Sequence, residues 1–386
     1  MPDAREDPDT GNGHLVLIAT ALVAAVLGSI HAFSVFLSPL EATFDLARAT
    51  VSLTYSFALV ALTLAVTFGP AIYTRLPPAP LVLLATGLAA AGAIFAGFGS
   101  GMTGIWLGYS LAFGAANGLG YGFGLQYAAQ AMLHRAGWAM GVVTAAYALG
   151  AALSPLLFTR ALAIGGFPAA MLGLAAALIA AGAVAALLIR KSRVTYAPNS
   201  GDTRTDAPPA PPITTLWIAY GAGVAAGLMA IGHAAGLAEA RGFQGWTAPA
   251  ILAICNLTGS LVAGTLMDRL PPRHLLAGLA LLSALALCML ALSNSLTLAA
   301  LGGVGFAYGG TIAAYPAAIA ARYPGALGPK VYGKVFTAWG TAGLAAPWLA
   351  GRIFDATEGY GPALWIAAGL ALLSAMVVRT IFRRAP

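Results

Sequence analysis

Residues 69–81 read GPAIYTRLPPAPL, and residues 264–276 read GTLMDRLPPRHLL. Each stretch follows a long apolar run, carries an arginine and contains an LPPxxL piece, starting at Leu76 in the first and Leu270 in the second. Two further pairs repeat in the same order. Gly141, Tyr147 and Pro155 have the same spacing as Gly333, Trp339 and Pro347. The runs ahead of them are glycine-rich and hold paired tyrosines, Tyr121 with Tyr127 and Tyr308 with Tyr315. One such match can arise by chance. Three in one order, offset by about 190 residues, imply a duplicated unit.

Composition says what the unit is made of. Of the 386 residues, 60% are hydrophobic and 8% are charged, against roughly 25% charged in a soluble domain. A globule with so little charge cannot cover its surface with polar groups, so the bilayer is its solvent. A membrane helix needs about 20 apolar residues. Apolar runs of that length are read at 15–37, 50–72, 80–99, 103–127, 139–160, 168–190, 214–237, 247–267, 274–294, 296–321, 332–352 and 361–382, numbered below as spans 1 to 12. The runs exceed the length of barrel strands, and backbone polar groups in lipid must bond within their own segment, which leaves helices. The expectation is an all-α membrane protein with twelve transmembrane helices in two pseudo-symmetric six-helix bundles. The N-terminal half covers 1–190 and the C-terminal half 214–386. Between them 191–213, polar and proline-rich, reads as a linker. The first ten residues hold Asp3, Glu6, Asp7 and Asp9 against Arg5, and the apolar run from Leu15 is too long for a signal-peptide core.

The net charge of +7 does not point to nucleic acid, because the basic residues sit in short loops between spans. With both termini cytoplasmic, fifteen of the 19 Lys and Arg residues fall inside, and Arg48, Arg160, Arg241 and Arg352 fall outside. The positive-inside rule therefore sets the orientation. A multi-pass protein of a bacterial-type inner membrane is expected. Cys255 and Cys288 lie in apolar runs and read as buried thiols with no metal-ligand spacing. No nucleotide-binding loop, catalytic cluster or selectivity ring is visible, which argues against a pump driven by ATP, an enzyme and a channel.

The loop Gly264-TLM-Asp268-Arg269-LPP-Arg273 resembles the loop signature of the major facilitator superfamily. That resemblance implies a gating role for Gly264, Asp268, Arg269 and Arg273. Asp268→Asn would then slow conformational cycling more than it weakens binding. Counting from the glycine, the first copy has Tyr73 in place of the acidic residue. Three stretches sharpen the likeness: GSIHAFSVFLSPL at 28–40, RAGWAMG at 135–141, and YGKVFTAWGTAGLAAPWLAGRIFDATEGYGPAL at 332–364. Together they resemble the oxalate/formate antiporter family and its monocarboxylate-carrier relatives. In oxalate carriers of that family two buried basic residues, in spans 8 and 11, hold the dianion. The matching places here are near Asn256–Ser260 and Ala342, with no Lys or Arg within a turn. Oxalate is therefore not expected as the substrate.

Alternating access needs a site near the bilayer midplane between the halves, and polar groups there are costly enough to be candidates. The candidate substrate-binding residues are His31, Tyr121, Tyr127, His233, Asn256, Tyr308, Tyr315 and Trp339. His31 and His233 are rough counterparts in the repeat and suit a proton, although a neutral histidine bonded to a neighbouring helix is the plain alternative. Asn256 offers both donor and acceptor. The expected partners are a small-molecule substrate, protons and membrane lipid, with no nucleic acid, no cofactor, no metal and a monomeric state. The reading is a secondary transporter, symporter or antiporter, for a small organic solute. A monocarboxylate entering with a proton and an uncharged or zwitterionic solute both remain open.

Overall fold

The computed structural model describes residues 10–132, 136–196, 211–267, 269–320, 322–323 and 327–381. Among these, helices follow one another with no strand. Nine helical stretches are long and apolar enough to cross a membrane, and one of them, Trp138–Ser192, holds both span 5 and span 6. The two are separated at Gly165 and Gly166, and Gly166 has φ 67° and ψ −161°, a backbone conformation that a side chain would strain. The glycine-rich span 4 and span 11 (Leu327–Thr357) complete the twelve. Large apolar side chains point outward along the bundle, among them Phe68, Ile164, Leu187, Leu292 and Met376. In water such a surface would aggregate; here it faces lipid.

Three spans depart from the uninterrupted helices expected. Span 1 is α-helical over Thr10–Leu27, tightens to a 3-10 helix over Gly28–Phe36, and resumes over Leu37–Phe44. The cause lies in its neighbours. A Cβ on Gly28 would come 1.8 Å from the Tyr147 carbonyl oxygen, so spans 1 and 5 touch backbone to backbone. Asn117 Nδ2 also takes the Leu27 carbonyl at 2.6 Å. Span 4 widens into a π-helix over Trp106–Phe113, pinned to span 2 by Ser110 Oγ on the Thr54 carbonyl at 2.7 Å and Trp106 Nε1 on Thr54 Oγ1 at 3.1 Å. Span 7 stops at Ile231 and restarts as Ala234–Glu239, with His233 in the break. Irregular turns inside helices recur at functional sites, and two of these three carry a candidate residue.

The halves repeat the same packing. In the first, a Cβ on Gly114 or Gly118 would fall 2.6 or 2.2 Å from the carbonyl oxygens of Ala58 and Leu62, so span 4 lies on span 2. In the second, a Cβ on Gly305 or Gly309 would fall 2.1 or 2.0 Å from the carbonyl oxygens of Leu252 and Asn256, placing span 10 on span 8. Small residues let membrane helices approach this closely, and close approach is what holds them together in lipid. Between the halves, span 11 runs along span 2, with Gly351 against Ala49, Gly343 against Leu59 and Gly340 against Thr63. Span 5 meets span 8 through Ala151, Ala152 and Ala253.

Candidate functional site

The seam between the halves carries the polar groups. The 3-10 turn of span 1 places His31 there, half-buried. His31 Nδ1 shares a 2.6 Å hydrogen bond with the Tyr55 hydroxyl. Its ring also packs edge-on against Tyr147, with centroids 5.6 Å apart. Tyr147 packs at a tilt against Tyr121, with centroids 4.5 Å apart, and donates its hydroxyl to Asn117 Oδ1 at 3.1 Å. Tyr121 reaches Thr144 Oγ1 at 3.3 Å. One continuous network therefore joins spans 1, 2, 4 and 5 around the imidazole.

The C-terminal half answers with neutral groups. Trp339 Nε1 donates to the Tyr308 hydroxyl at 2.8 Å, and Trp339 stacks on Phe336 at 5.3 Å. Tyr308 lies near Tyr55, Tyr121 and Tyr147 across the seam. A pocket there is lined by His31 and Ala151 from one half and by Ile231, Ala234, Leu252 and Asn256 from the other. Asn256 Oδ1 also accepts from Ser260 Oγ at 3.4 Å. No lining residue carries a fixed charge. Ala342, the other matching place, is buried.

Three of the expected binding residues lie elsewhere or stay apart from this grouping, and the described gating residues lie outside it. Tyr127 sits toward the end of the bundle that carries both termini, where its hydroxyl donates to the Val194 carbonyl at 2.6 Å. Tyr315 is buried inside the second half against Tyr220, with centroids 4.7 Å apart. His233 is fully buried, and its Nε2 lies 2.8 Å from the Pro347 carbonyl. Of the gating residues, Gly264 has open space where a Cβ would stand, Arg269 is exposed and Arg273 half-buried. Asp268, the fourth, lies outside the described residues.

The structure adds residues that the sequence reading passed over. Tyr55 completes the His31 bond, and its only written signal is the polar triplet Thr54-Tyr55-Ser56 inside an apolar span. At the end of the bundle opposite the termini, the halves are joined by side chains that the charge pattern used only for orientation. Arg48 N and Ala49 N, in the first turn of span 2, donate to Asp355 Oδ1 at 3.1 Å and Oδ2 at 3.0 Å. Arg48 Nη1 donates to the Tyr360 hydroxyl at 2.6 Å, and its Nε and Nη2 hold Glu41 at 2.6 and 2.7 Å. Ser38 Oγ donates to Glu239 Oε2 at 3.2 Å.

A twelve-helix bundle of two like halves, a neutral polar seam and a closed end is the geometry of a carrier, and comparison agrees. The Major Facilitator Superfamily profile matches residues 15–277 and 213–386. The chain belongs to the Major Facilitator Superfamily. No curated protein sequence matches it significantly. Its fold is similar to that of the xylose transporter XylE from E. coli in a partially occluded inward-open conformation, with a TM-score of 0.71 and 12% identity over 96% of this chain and 100% of that one. A D-xylose-proton symporter superposes with a TM-score of 0.72, again at 12% identity, over 96% of this chain and 98% of the other. At that identity the likeness speaks for the fold alone. As a member of this superfamily it is a multi-pass membrane transporter.

Proposed function

We propose that the protein is a secondary active transporter that moves a small organic solute across the membrane with no net charge, by alternating access at the seam between its halves. The observation that carries this reading is the lining of the seam at the level of the pocket. His31, Tyr55, Tyr121, Tyr147, Asn256, Tyr308 and Trp339 offer hydrogen bonds and aromatic faces but no Lys, Arg, Asp or Glu. Stripping water from an anion without a fixed countercharge costs several kcal/mol or more, so a dianion such as oxalate is disfavoured. The basic loops support a cytoplasmic location for both termini and the 191–213 linker.

A monocarboxylate accompanied by a proton meets the same requirement, and one observation favours it over a permanently neutral solute. His31 is the ionisable group that borders the pocket, and its Nδ1 is already engaged by Tyr55 at 2.6 Å. That bond orients the ring and leaves Nε2 as the atom that can meet a cargo carboxylate. The resemblance of the 332–364 stretch to the oxalate/formate antiporter family, relatives of monocarboxylate carriers, supports the same choice. The test is uptake by purified protein in sealed vesicles at a series of external pH values. Proton-linked carboxylate uptake should accelerate as external pH falls, and His31→Gln should flatten that dependence. Uptake that ignores pH and survives His31→Gln would rule out the proton-linked version. Tight oxalate binding would overturn the argument from the uncharged lining.

A further inference from the structure

Span 2 begins without a cap of its own. The residue before its first turn, Ala47, has no side chain able to accept a hydrogen bond. The first N–H groups of a helix have no partner within it, and the helix dipole concentrates positive charge there. Here the partner comes from the other half of the molecule. Asp355, near the end of span 11, accepts from both Arg48 N and Ala49 N. Its carboxylate does for span 2 what a local Asp or Ser does at an ordinary helix start, but across the seam. The bond therefore exists only while the two halves are together at this end.

A second limb runs beside it. The Arg48 guanidinium grips Glu41 with two bonds, lies 4.3 Å over the Phe354 ring, and donates to Tyr360. Burial pushes the Tyr360 phenol up to about 12 against the pull of Arg48, so it keeps its proton and can donate onward to His233 Nδ1 at 3.4 Å. Since the Pro347 carbonyl can only accept, His233 Nε2 carries a proton. His233 thus ties the break in span 7 to span 11 and Tyr360, instead of reaching toward cargo. Gly236 seals the joint: a Cβ there would stand 2.6 Å from the Tyr360 hydroxyl and 3.0 Å from Arg48 Nη1.

We propose that Asp355, with Arg48 and Tyr360, is the latch of the gate at the end opposite the termini, and that release of the span 2 N-terminus from Asp355 opens that gate. Alternating access requires the halves to part at this end, and they cannot do so while the cap holds. Asp355 is a positioning residue: it sets which way the cavity faces and does not touch the cargo.

The test reads that population directly. In the full-length chain carrying Cys255→Ala and Cys288→Ala, spin labels are placed at Ala42→Cys and Ala240→Cys, exposed positions at this end of the two halves. Pulsed electron–electron distances are then measured in lipid nanodiscs. The otherwise unaltered protein should be dominated by the short distance of the closed gate. Asp355→Ala should raise the ratio of long to short distances about tenfold, equivalent to about 1.4 kcal/mol. Gly236→Val should move the same ratio in the same direction by wedging Tyr360 from Arg48, while Asp355→Glu should restore the short distance in part. An unchanged distribution in well-folded Asp355→Ala would overturn the proposal. If that variant is not recovered folded, Asp355→Asn keeps the shape and one acceptor but loses the charge. An unchanged distribution there, together with an unmoved Gly236→Val, would overturn it equally.

Discussion

Asn117 decides whether the interrupted first span is held by a single amide. Its Nδ2 donates to the Leu27 carbonyl at 2.6 Å, its Oδ1 accepts from Tyr147 at 3.1 Å, and none of the side chain is exposed. Asn117→Leu keeps the number of side-chain heavy atoms and the branch point and removes both bonds. An interhelical hydrogen bond within a membrane bundle is worth about 0.6 kcal/mol on average. The Tyr147 hydroxyl left buried without its acceptor adds about 1–3 kcal/mol. The expected destabilisation is therefore about 2–4 kcal/mol. Tyr147→Phe removes only the second bond and leaves Asn117 Oδ1 without that partner, and should cost about 1.5–3.5 kcal/mol. Because the Tyr147 bond has no acceptor once Asn117 is gone, the double variant should be no less stable than Asn117→Leu alone, which is the signature of a shared interaction. Unfolding midpoints of the purified proteins in one detergent give the ranking. Vesicle uptake should fall in Asn117→Leu as well, since the turn that presents His31 loses its tie to span 4. An Asn117→Leu protein that melts like the unaltered chain, or a double variant whose loss is the sum of the singles, would refute the reasoning.

The remaining predictions concern packing and orientation. Gly309→Ala should be among the most damaging small substitutions, because its Cβ would lie 2.0 Å from the Asn256 carbonyl oxygen and 2.4 Å from Asn256 Oδ1. Spans 8 and 10 would have to separate, at a cost of about 1–3 kcal/mol, and Asn256 would move with them. Folded yield and uptake should drop together, whereas Gly278→Ala, with open space at its Cβ, should be silent in both. For orientation, an impermeant thiol reagent applied to intact cells should fail to label Ser200→Cys in a background lacking the two native cysteines, and ready labelling would invert the assignment of sides.

How much of this was readable in the sequence follows from what each signal encodes. Twelve spans and two like halves come from hydrophobic length and from the repeated LPPxxL loops, and both are properties of consecutive residues. The glycines of spans 4 and 10 announced close packing without naming the partner; the structure supplies Ala58 and Leu62 in one half and Leu252 and Asn256 in the other. What could not be read is the tightening of span 1 at Gly28. Its cause is a carbonyl on span 5 and an amide on span 4, both far away in the chain. The Asp355 cap was invisible for the same reason. A helix start at Arg48 with no local capping residue is a gap in the sequence, and only the fold shows what fills it, 307 residues further on in the case of Arg48.

The two histidines show where a repeat stops being a guide to function. Each occupies a corresponding place in the first span of its half, and each lies at an interruption of that helix, the 3-10 turn for His31 and the Gly232–His233 break for the other. The duplicated backbone thus reproduces the position, while the neighbours assign the role. His31 meets a hydroxyl, Tyr55, which can give or take a hydrogen bond, and one side of it borders a pocket. His233 meets a carbonyl, which can only accept, and Tyr360, which Arg48 already holds. With both nitrogens engaged and no exposed surface, it has no free atom to offer a cargo. A ring with an open side suits a reversible proton, and a ring closed on both sides suits a joint. His233→Gln should accordingly act like a weakened latch in the distance measurement, and should leave the dependence of uptake on external pH to His31.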